Sequence, residues 1–430
     1  MAKLALHGGD PVRTKPWPAW PDAREEDVQA VAAVIRSGRW WYDDGGETKS
    51  FEREFAAYHD AAFGVAVSSG TTALQVGLEA LGVGPGDEVI VPAYTFQGTA
   101  ASVLLANAVP VFADVDADTM NISPDSVLVA ITDRTRAIIP VHLSGLPAVM
   151  DLLLDIARPR GIAILEDCAQ AHGAVWGGRK VGSIGDAGAF SFQASKNLPS
   201  GEGGIVITNN KEVAARAGAV ADCGRAAGRP FYEHHILGSN YRLTEMQGAL
   251  LRARLRHLEA ETELRHRNGR RLTERLSGIP GIAPLDPDPG PGDRRAYHLY
   301  PIRIVPGQLG GVSRQLFMQA LHAEGIPCSA GYGAPLYGNP VFVTGAFRCG
   351  PVGGERAADS PGGPTACPVS CSFYGRPMDY RDCSCPVTEG LCQQVVWLFH
   401  NLLLGSDGDI DDIARAVEKV VENREGLAEA

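Results

Sequence analysis

The sequence predicts an α/β protein built on a layered, mostly parallel sheet. Short runs rich in Val and Ile alternate with helical or turn segments from about residue 64 onward, and several runs lack strict apolar and polar alternation. Such runs are typical of strands buried on both faces, and strands that alternate with helices build parallel sheets. The predicted strands cover residues 64–67, 88–92, 109–115, 137–142, 162–166, 187–192 and 204–208.

The chain is long enough for two domains. Its 430 residues exceed what one hydrophobic core usually holds. We predict an N-terminal segment and a large domain in residues 1–290, and a smaller C-terminal α+β domain in residues 291–430, because the pattern changes near Tyr297 to a strand, a helix and a second strand. A stretch rich in Cys, Gly and Pro, at about residues 348–382, reads as an insertion.

Composition limits the partners that we expect. Hydrophobic residues make up 45% and charged residues 21%, which is typical of a soluble globular protein. The net charge of -11 is spread along the chain and argues against nucleic acid as a partner. We see no run near the ~20 apolar residues that a membrane span needs and no signal peptide, so we predict a cytoplasmic protein without membrane contact.

The cysteines cluster late in the chain. Six of the nine fall in one segment: Cys349, Cys367, Cys371, Cys383, Cys385 and Cys392. Their spacings suggest metal ligation, yet none is the C-x2-C pair of zinc ribbons. We therefore predict free thiols, as a reducing compartment maintains them, and no metal site.

The motif SSGTTALQ has the first chemical content. Ser69, Gly70 and Thr71 stand between a strand and an apolar helix. Small residues at a helix start leave backbone N–H groups free for an anion such as phosphate. The alternative is an ordinary helix cap.

A carboxylate ends the predicted strand at residue 166. Asp167 follows that apolar run, and Gln170 and His172 come next in the sequence. A carboxylate there is costly unless it is paired, so it faces either a structural cation or a polar ligand. His172 is either a residue of the site or a hydrogen-bonded residue of the core.

Lys196 lies in SFQASKNLPSGEGG, a turn between two predicted strands. Most lysines are solvated surface residues, and that is the alternative for this one. Together with Asp167, with the helix start at Gly70 and with Phe96 after another strand, however, it meets the needs of pyridoxal phosphate. Lysine forms a Schiff base with the aldehyde, and a carboxylate keeps the pyridine nitrogen protonated.

These motifs resemble those of the DegT family of fold-type I aminotransferases, which act on keto-sugars and keto-cyclitols. The resemblance rests on LHGGDPVRTKPWPAWP, SSGTTALQ, DEVIVPAYTF, RAIIPVHLSG, LEDCAQAHGA, GDAGAFSFQASKNLPSGEGG and GSNYRLTEMQ, which span most of the chain. It implies a pyridoxal phosphate-dependent transferase fold, with a seven-stranded sheet in the large domain.

The resemblance also implies roles for matching residues. Lys196 would be the Schiff-base and proton-transfer lysine, and Asp167 would face the pyridine nitrogen. The remaining cofactor contacts would come from Gln170 near the ring oxygen, Phe96 on the ring face, and Gly70, Thr71 and Ser191 at the phosphate. Asn240 would complete the phosphate site of the neighbouring subunit, which implies a homodimer with shared active sites.

The helix that follows Asn240 adds modest support for an oligomer. Leu251, Leu255 and Leu258 form one stripe, and we expect the arginines between them to be solvated. Later in the chain, Tyr332 and Tyr337 lie in a Gly-rich segment, where we expect turn residues rather than pocket lining.

The predicted activity is a ping-pong transamination from L-glutamine or L-glutamate to a keto-sugar or keto-cyclitol, such as scyllo-inosose or a nucleotide-linked keto-sugar. One alternative is a 3-amino-5-hydroxybenzoate synthase-type enzyme on the same fold. Another is a non-catalytic pyridoxal phosphate-binding regulator, although no basic helix-turn-helix segment precedes residue 50. A sugar 3-dehydratase is disfavoured because those enzymes carry histidine at the position of Lys196. An iron or zinc protein built on the cysteine-rich segment is the weakest alternative, because all the other motifs would then be coincidental.

Overall fold

A computed structural model describes residues 3–287, 290, 292–345, 347, 368–369, 374–376 and 378–428. The strands are β1 (Phe63–Val67), β2 (Glu88–Pro92), β3 (Val109–Ala113), β4 (Thr135–Ile138), β5 (Ala163–Asp167), β6 (Val175–Trp176), β7 (Arg179–Lys180), β8 (Ala187–Ser191), β9 (Gly204–Thr208), β10 (Ile282–Pro284), β11 (Leu299–Ile304), β12 (Cys328–Ser329) and β13 (Val395–Phe399). The α-helices are α1 (Glu25–Ser37), α2 (Glu47–Tyr58), α3 (Gly70–Ala80), α4 (Gln97–Leu105), α5 (Pro124–Ala130), α6 (Met150–Ala157), α7 (Lys211–Ala221), α8 (Glu245–Leu276), α9 (Arg314–Ala323), α10 (Pro340–Val343), α11 (Pro386–Gln394), α12 (Asp407–Glu422) and α13 (Arg424–Ala428).

The large sheet has seven strands in the order β1-β9-β8-β5-β4-β2-β3. Only β9 runs against its neighbours, since β9 pairs antiparallel with both β1 and β8 while the other pairs are parallel. The mostly parallel seven-stranded sheet is therefore confirmed. Its central strands β2, β5, β8 and β9 are almost wholly buried, which explains their apolar sequences.

The second sheet is antiparallel, with the order β10-β11-β13-β12. Helices α9 and α12 pack on it, and α12 buries a stripe that includes Ile410, Ile413 and Val417. The predicted boundary between residues 290 and 291 stays a prediction. In the structure this sheet already includes β10, and Leu4 of the N-terminal segment packs into the same core.

Helix α8 connects the two cores. It has 32 residues, about 48 Å at 1.5 Å per residue. Leu251 and Leu258 pack among the residues under the large sheet, and Leu272 and Leu276 join the core of the second sheet.

Two expectations for α8 were wrong. The leucine stripe packs inside its own chain and carries no argument for an oligomer, because the adjacent helix α2 covers it. Arg254 is buried rather than solvated, since its guanidinium pairs with Asp22 at 2.8 Å and with Asp27 at 2.7 Å.

The described part of the predicted insertion packs on the large sheet. The Tyr374 hydroxyl donates to Glu88 Oε1 at 2.9 Å, and the Tyr380 hydroxyl donates to the Pro110 carbonyl at 2.9 Å. Among the described residues, no helix combines the length and the apolar character that crossing a membrane requires.

Candidate active site

A cavity of about 940 Å³ opens where the carboxyl ends of β5 and β8 meet the second sheet. Ligands of α/β proteins gather at this edge of a parallel sheet. The large-sheet side of the lining includes the first residues of α3 and α4, and the other side includes Leu299 of β11 and Trp397 of β13. The structure brings seven of the eight predicted site residues to this lining: Gly70, Thr71, Phe96, Asp167, Gln170, Ser191 and Lys196.

Lys196 sits in a tight turn that follows β8. The turn is closed by hydrogen bonds from Lys196 N to the Gln193 carbonyl at 2.8 Å and from Ser200 N to the Phe192 carbonyl at 2.8 Å. In the part of the chain that the structure describes, Lys196 Nζ makes no hydrogen bond or ion pair. Burial lowers the pKa of Lys196 to about 8, and the charge of Asp167 opposes that shift only in part.

Asp167 ends β5 and is buried. Its Oδ2 accepts from the Thr99 hydroxyl at 2.9 Å, and its Oδ1 accepts from Ala169 N at 3.1 Å. Burial raises the pKa of Asp167, against the opposing effects of these two hydrogen bonds and of Lys196. No cation of the described residues lies within ion-pair distance of it, so the structural ion pair that was the alternative is absent there. The carboxylate is available to a cationic ligand.

The start of α3 forms an anion cradle. Ser69 caps the helix by accepting from Thr72 N at 3.1 Å, whereas the N–H groups of Gly70 and Thr71 donate to no described residue. A Cβ on Gly70 would lie 2.6 Å from Ser191 Cβ. Glycine is therefore required for the helix start to approach the end of β8, and this contact brings Ser191 beside the free N–H groups.

Phe96 occupies the N-cap position of α4 and is 62% exposed. An aromatic ring that is largely exposed inside a cavity wall is suited to stack on a bound ring. A Cβ on Gly98 would lie 2.8 Å from Thr71 Oγ1 and 3.1 Å from the Phe96 ring. Because Gly98 has no side chain, the Phe96 ring can lie close to Thr71 of the anion cradle.

Gln170 is a buried residue of the cavity lining. Its Oε1 accepts from Ser144 N at 2.6 Å, and its side chain partly offsets the rise that burial causes in the pKa of Tyr332. The expectation for Tyr332 was wrong, since this residue lines the cavity. Tyr337 does not line it, and its hydroxyl donates instead to Glu389 Oε1 at 2.6 Å.

Asn240 is the predicted residue that does not reach this cavity. It is exposed, and its Oδ1 accepts from Arg242 N at 3.4 Å. The loop before it carries exposed apolar side chains, including Phe231 and Leu237, the latter 94% exposed. Such a surface is typical of an interaction site.

Several cavity residues were not predicted from the sequence, among them Trp20, His298 and His400. Trp20 Nε1 donates to the Lys196 carbonyl at 3.1 Å. His298 and His400 stack with their ring centroids 5.6 Å apart. They come from three distant parts of the chain, and the sequence signal for His298 was its place directly before the strand of the second sheet.

Two other groups do not belong to the site. His172 is buried among Phe55, Phe190 and Phe192, and burial lowers its pKa to about 3, so it is a neutral core residue.

His142, Glu166 and Cys168 form the one cluster of potential metal ligands among the described residues. His142 Nδ1 accepts from Ala148 N at 2.9 Å, so its Nε2 donates to Glu166 at 3.0 Å. Three backbone N–H groups also donate to Glu166, which makes the cluster structural. Cys349, Cys367 and Cys371 lie outside the described residues, whereas Cys383, Cys385 and Cys392 are free thiols.

The residues of the cavity fit pyridoxal phosphate. Lys196 offers its aldehyde an amine that has no partner among the described residues, and the buried Asp167 carboxylate suits its pyridine nitrogen. Two N–H groups at a helix start, which donate to no described residue, suit its phosphate. Fold and site together define a pyridoxal phosphate-dependent enzyme on an α/β fold.

The comparisons with known proteins give the family. The model of the DegT/DnrJ/EryC1/StrS aminotransferase family matches residues 21–348, and the chain belongs to this family. It is 38% identical to an L-glutamine:2-deoxy-scyllo-inosose aminotransferase of Streptoalloteichus tenebrarius over 435 residues, which cover 98% of each chain. It is 36% identical to a 3-amino-5-hydroxybenzoate synthase of Amycolatopsis mediterranei over 407 residues, or 94% of this chain and 97% of that one.

The fold agrees with this membership. The crystal structure of a 3-amino-5-hydroxybenzoic acid synthase superposes with a TM-score of 0.81 at 33% identity, over 96% of this chain and 100% of that chain. The protein is an aminotransferase with the fold of the pyridoxal phosphate-dependent fold-type I enzymes.

Proposed function

We propose that this enzyme transfers an amino group from L-glutamine or L-glutamate to a keto-cyclitol or keto-sugar, by a ping-pong mechanism. The observation that carries the proposal is the Lys196 amine, which has no hydrogen-bond or ion-pair partner in the described part of the chain and shares one cavity with the buried Asp167 carboxylate. The substrate class is supported by the relative that acts on 2-deoxy-scyllo-inosose with L-glutamine, as its name states.

Each part of the cofactor has a proposed partner in the chain. Lys196 would hold the aldehyde carbon, Asp167 the pyridine nitrogen and Phe96 the ring face. Gly70, Thr71 and Ser191 would bind the phosphate, and Gln170 would lie near the ring oxygen. When bound, pyridoxal phosphate carries the amino group between the two substrates and withdraws electrons from the reacting carbon.

Lys196 also moves the proton. A lysine with a pKa of about 8 is neutral in roughly a tenth of the molecules at pH 7, whereas an ordinary lysine is neutral in fewer than about one in a thousand. Its free amine can accept a proton from the carbon of the amino donor that loses its amino group. In the second half of the reaction it can deliver a proton to the ketone carbon that receives the amino group. Apolar side chains in the wall, such as Leu74, Val141 and Phe399, limit access of water to this amine.

We further propose a homodimer in the cytoplasm. Asn240 lies outside the cavity of its own chain, next to an exposed apolar loop, and would complete the phosphate site of the partner subunit.

Subunit complementation tests the shared site. Lys196→Ala and Asn240→Ala are each expected to lose most activity as pure proteins. Mixing and refolding them together should restore turnover, because a hybrid dimer contains one site with both residues intact. Hybrids without activity would contradict the shared site.

The main experiment offers the enzyme L-glutamine or L-glutamate with a panel of ketones, including scyllo-inosose and nucleotide-diphosphate keto-sugars, and measures the amine product by mass spectrometry. Lys196→Ala is the control without catalysis. Formation of an aromatic amino acid from a carboxylated cyclic ketone added to the panel, with no product from the other ketones, would favour the 3-amino-5-hydroxybenzoate synthase alternative. Cofactor binding without turnover on any pair would favour the regulator and contradict the proposal.

A further inference from the structure

The wall of the cavity formed by His298, His400 and Asn401 has no assigned role. His298 precedes β11, and His400 and Asn401 follow β13. Because Leu299 pairs with Phe399 in the second sheet, the two histidines emerge side by side, and their rings stack at 27°. We call these three residues the acceptor wall.

The hydrogen-bond network fixes the proton on His298. Asn197 Nδ2 donates to the Ala296 carbonyl at 3.0 Å, so Asn197 Oδ1 is the atom that faces His298 Nδ1 at 3.1 Å. Nδ1 must therefore carry a hydrogen. Burial holds the pKa of His298 well below its usual value, so the ring is neutral and Nε2 carries a lone pair.

Asn401 presents a second acceptor. Its Nδ2 donates to the Pro18 carbonyl at 2.7 Å, which directs Oδ1 away from that contact. His400 Nε2 faces the Ser195 carbonyl at 3.0 Å, so Nε2 carries the hydrogen. Because protein atoms cover His400 Nδ1, this residue contributes its ring face to the wall rather than an acceptor. A neutral acceptor needs a hydrogen-bond donor, and an anion supplies none.

The charged residues of the cavity also disfavour an anionic substrate. Among the described residues that line it, Lys196 is the one lysine or arginine, and the acidic residues are Asp167 and Glu202. A diphosphate group in this cavity would meet no arginine among the described lining residues, although arginine is the side chain best suited to bind phosphate groups.

We propose that the acceptor wall binds the ketone substrate by accepting hydrogen bonds from its ring hydroxyl groups, and that the shortage of cationic side chains in the described lining selects an uncharged polyhydroxylated ring over a nucleotide-linked sugar. This inference rests on the proposed function and assigns its specificity to three named residues. A site built to pair with a hydroxyl discriminates against ligands that lack one, because its buried polar atoms would stay unpaired.

Binding of scyllo-inositol to the holoenzyme tests the wall without any turnover. This ring carries hydroxyl groups and no ketone, and calorimetry measures its Kd. His298→Phe removes the acceptor and is expected to weaken binding about 10-fold. His298→Gln offers an amide oxygen in its place and should keep binding within about threefold. His7→Phe, at an exposed position outside the cavity, is the matched control and should bind as the wild type does.

Two results would overturn the inference: equal binding by wild type and His298→Phe, or tighter wild-type binding of uridine diphosphate glucose than of scyllo-inositol. The cofactor absorbance of each variant is recorded first, so that a folding defect is recognised. If His298→Phe has such a defect, Asn401→Leu, which removes the Oδ1 acceptor, carries the comparison: weaker binding of scyllo-inositol is expected, and wild-type binding would overturn the inference. The proposed function fails separately, when L-glutamine and L-glutamate leave the absorbance of the wild-type cofactor unchanged.

Discussion

Gly70→Ala is expected to damage the cofactor site without removing any functional group. The new Cβ would lie 2.6 Å from Ser191 Cβ and 3.0 Å from Ser191 Oγ. Carbon atoms in contact are usually about 3.5 to 4.0 Å apart, so the start of α3 must move by about 1 Å. That movement carries the free N–H groups of Gly70 and Thr71 away from the anion cradle.

The expected cost has two parts. Overpacking between buried elements typically costs about 1–3 kcal/mol of unfolding free energy. A displacement of about 1 Å in a positioning contact is worth up to about 100-fold in rate, and we expect cofactor affinity to fall by about 10- to 100-fold.

Gly218→Ala is the matched control. Gly218 lies inside helix α7, and a Cβ there has nothing within 4 Å, so alanine should stabilise the protein by roughly 0.5–1 kcal/mol. Urea unfolding of the cofactor-free proteins and cofactor titration by absorbance measure both quantities. The reasoning is refuted when Gly70→Ala unfolds and binds cofactor like Gly218→Ala. The double variant Gly70→Ala/Ser191→Gly removes the contact, so its loss of stability should be smaller than the sum of the single losses.

Three further predictions concern charge and hydrogen bonding. Because Lys196 has a pKa of about 8 and reacts as the neutral amine, the rate of cofactor capture by the cofactor-free protein should rise as the pH increases through about 8. Asp167→Asn removes the negative charge that raises this pKa, so the inflection of the rate against pH should move to a lower pH. Stopped-flow absorbance measures both rates. Asp286→Asn should lower the unfolding free energy by about 3–5 kcal/mol in urea, since Asp286 is the partner of the buried Arg295 guanidinium at 2.8 Å. Trp20→Phe deletes the hydrogen bond to the Lys196 carbonyl at 3.1 Å and should cost about 1 kcal/mol in the same unfolding assay.

Each of these has a control or a contradicting result. Asp133 pairs with Arg376 at an exposed site, so Asp133→Asn should change stability by less than about 0.5 kcal/mol, and a loss equal to that of Asp286→Asn would contradict the burial argument. An inflection that rises in Asp167→Asn would contradict the charge coupling. A Trp20→Phe variant with wild-type stability would show that the hydrogen bond makes no net contribution to the free energy of unfolding.

The strands of the large sheet were predictable, because burial on both faces leaves a continuous apolar run. Their ends and order were less so: β3 ends at Ala113 and not at Val115, and β9 is antiparallel although it is buried along its whole length, as the parallel strand β8 is. Strand direction depends on connections and pairing, which leave no local signal. For the same reason, nothing in residues 282–284 indicated that β10 joins the second sheet.

The site was predictable where one short motif carries one function. Lys196, Asp167 and Gly70 each follow or precede a strand, so their arrival at one sheet edge follows from the parallel topology. His298 and His400 were not predictable as a pair, since their contact depends on the pairing of β11 with β13 across about a hundred residues. Arg254 was misjudged because partners far away in the sequence, Asp22 and Asp27, make its burial tolerable.

Identifying the lysine that holds the cofactor tests the central claim most directly. Borohydride reduction of the holoenzyme fixes the cofactor on that lysine, and peptide mass spectrometry then locates the added mass. The account predicts the added mass on the peptide containing Lys196 and its absence from reduced Lys196→Ala. Added mass on another lysine, or a Lys196→Ala enzyme that still transfers the amino group, would contradict it.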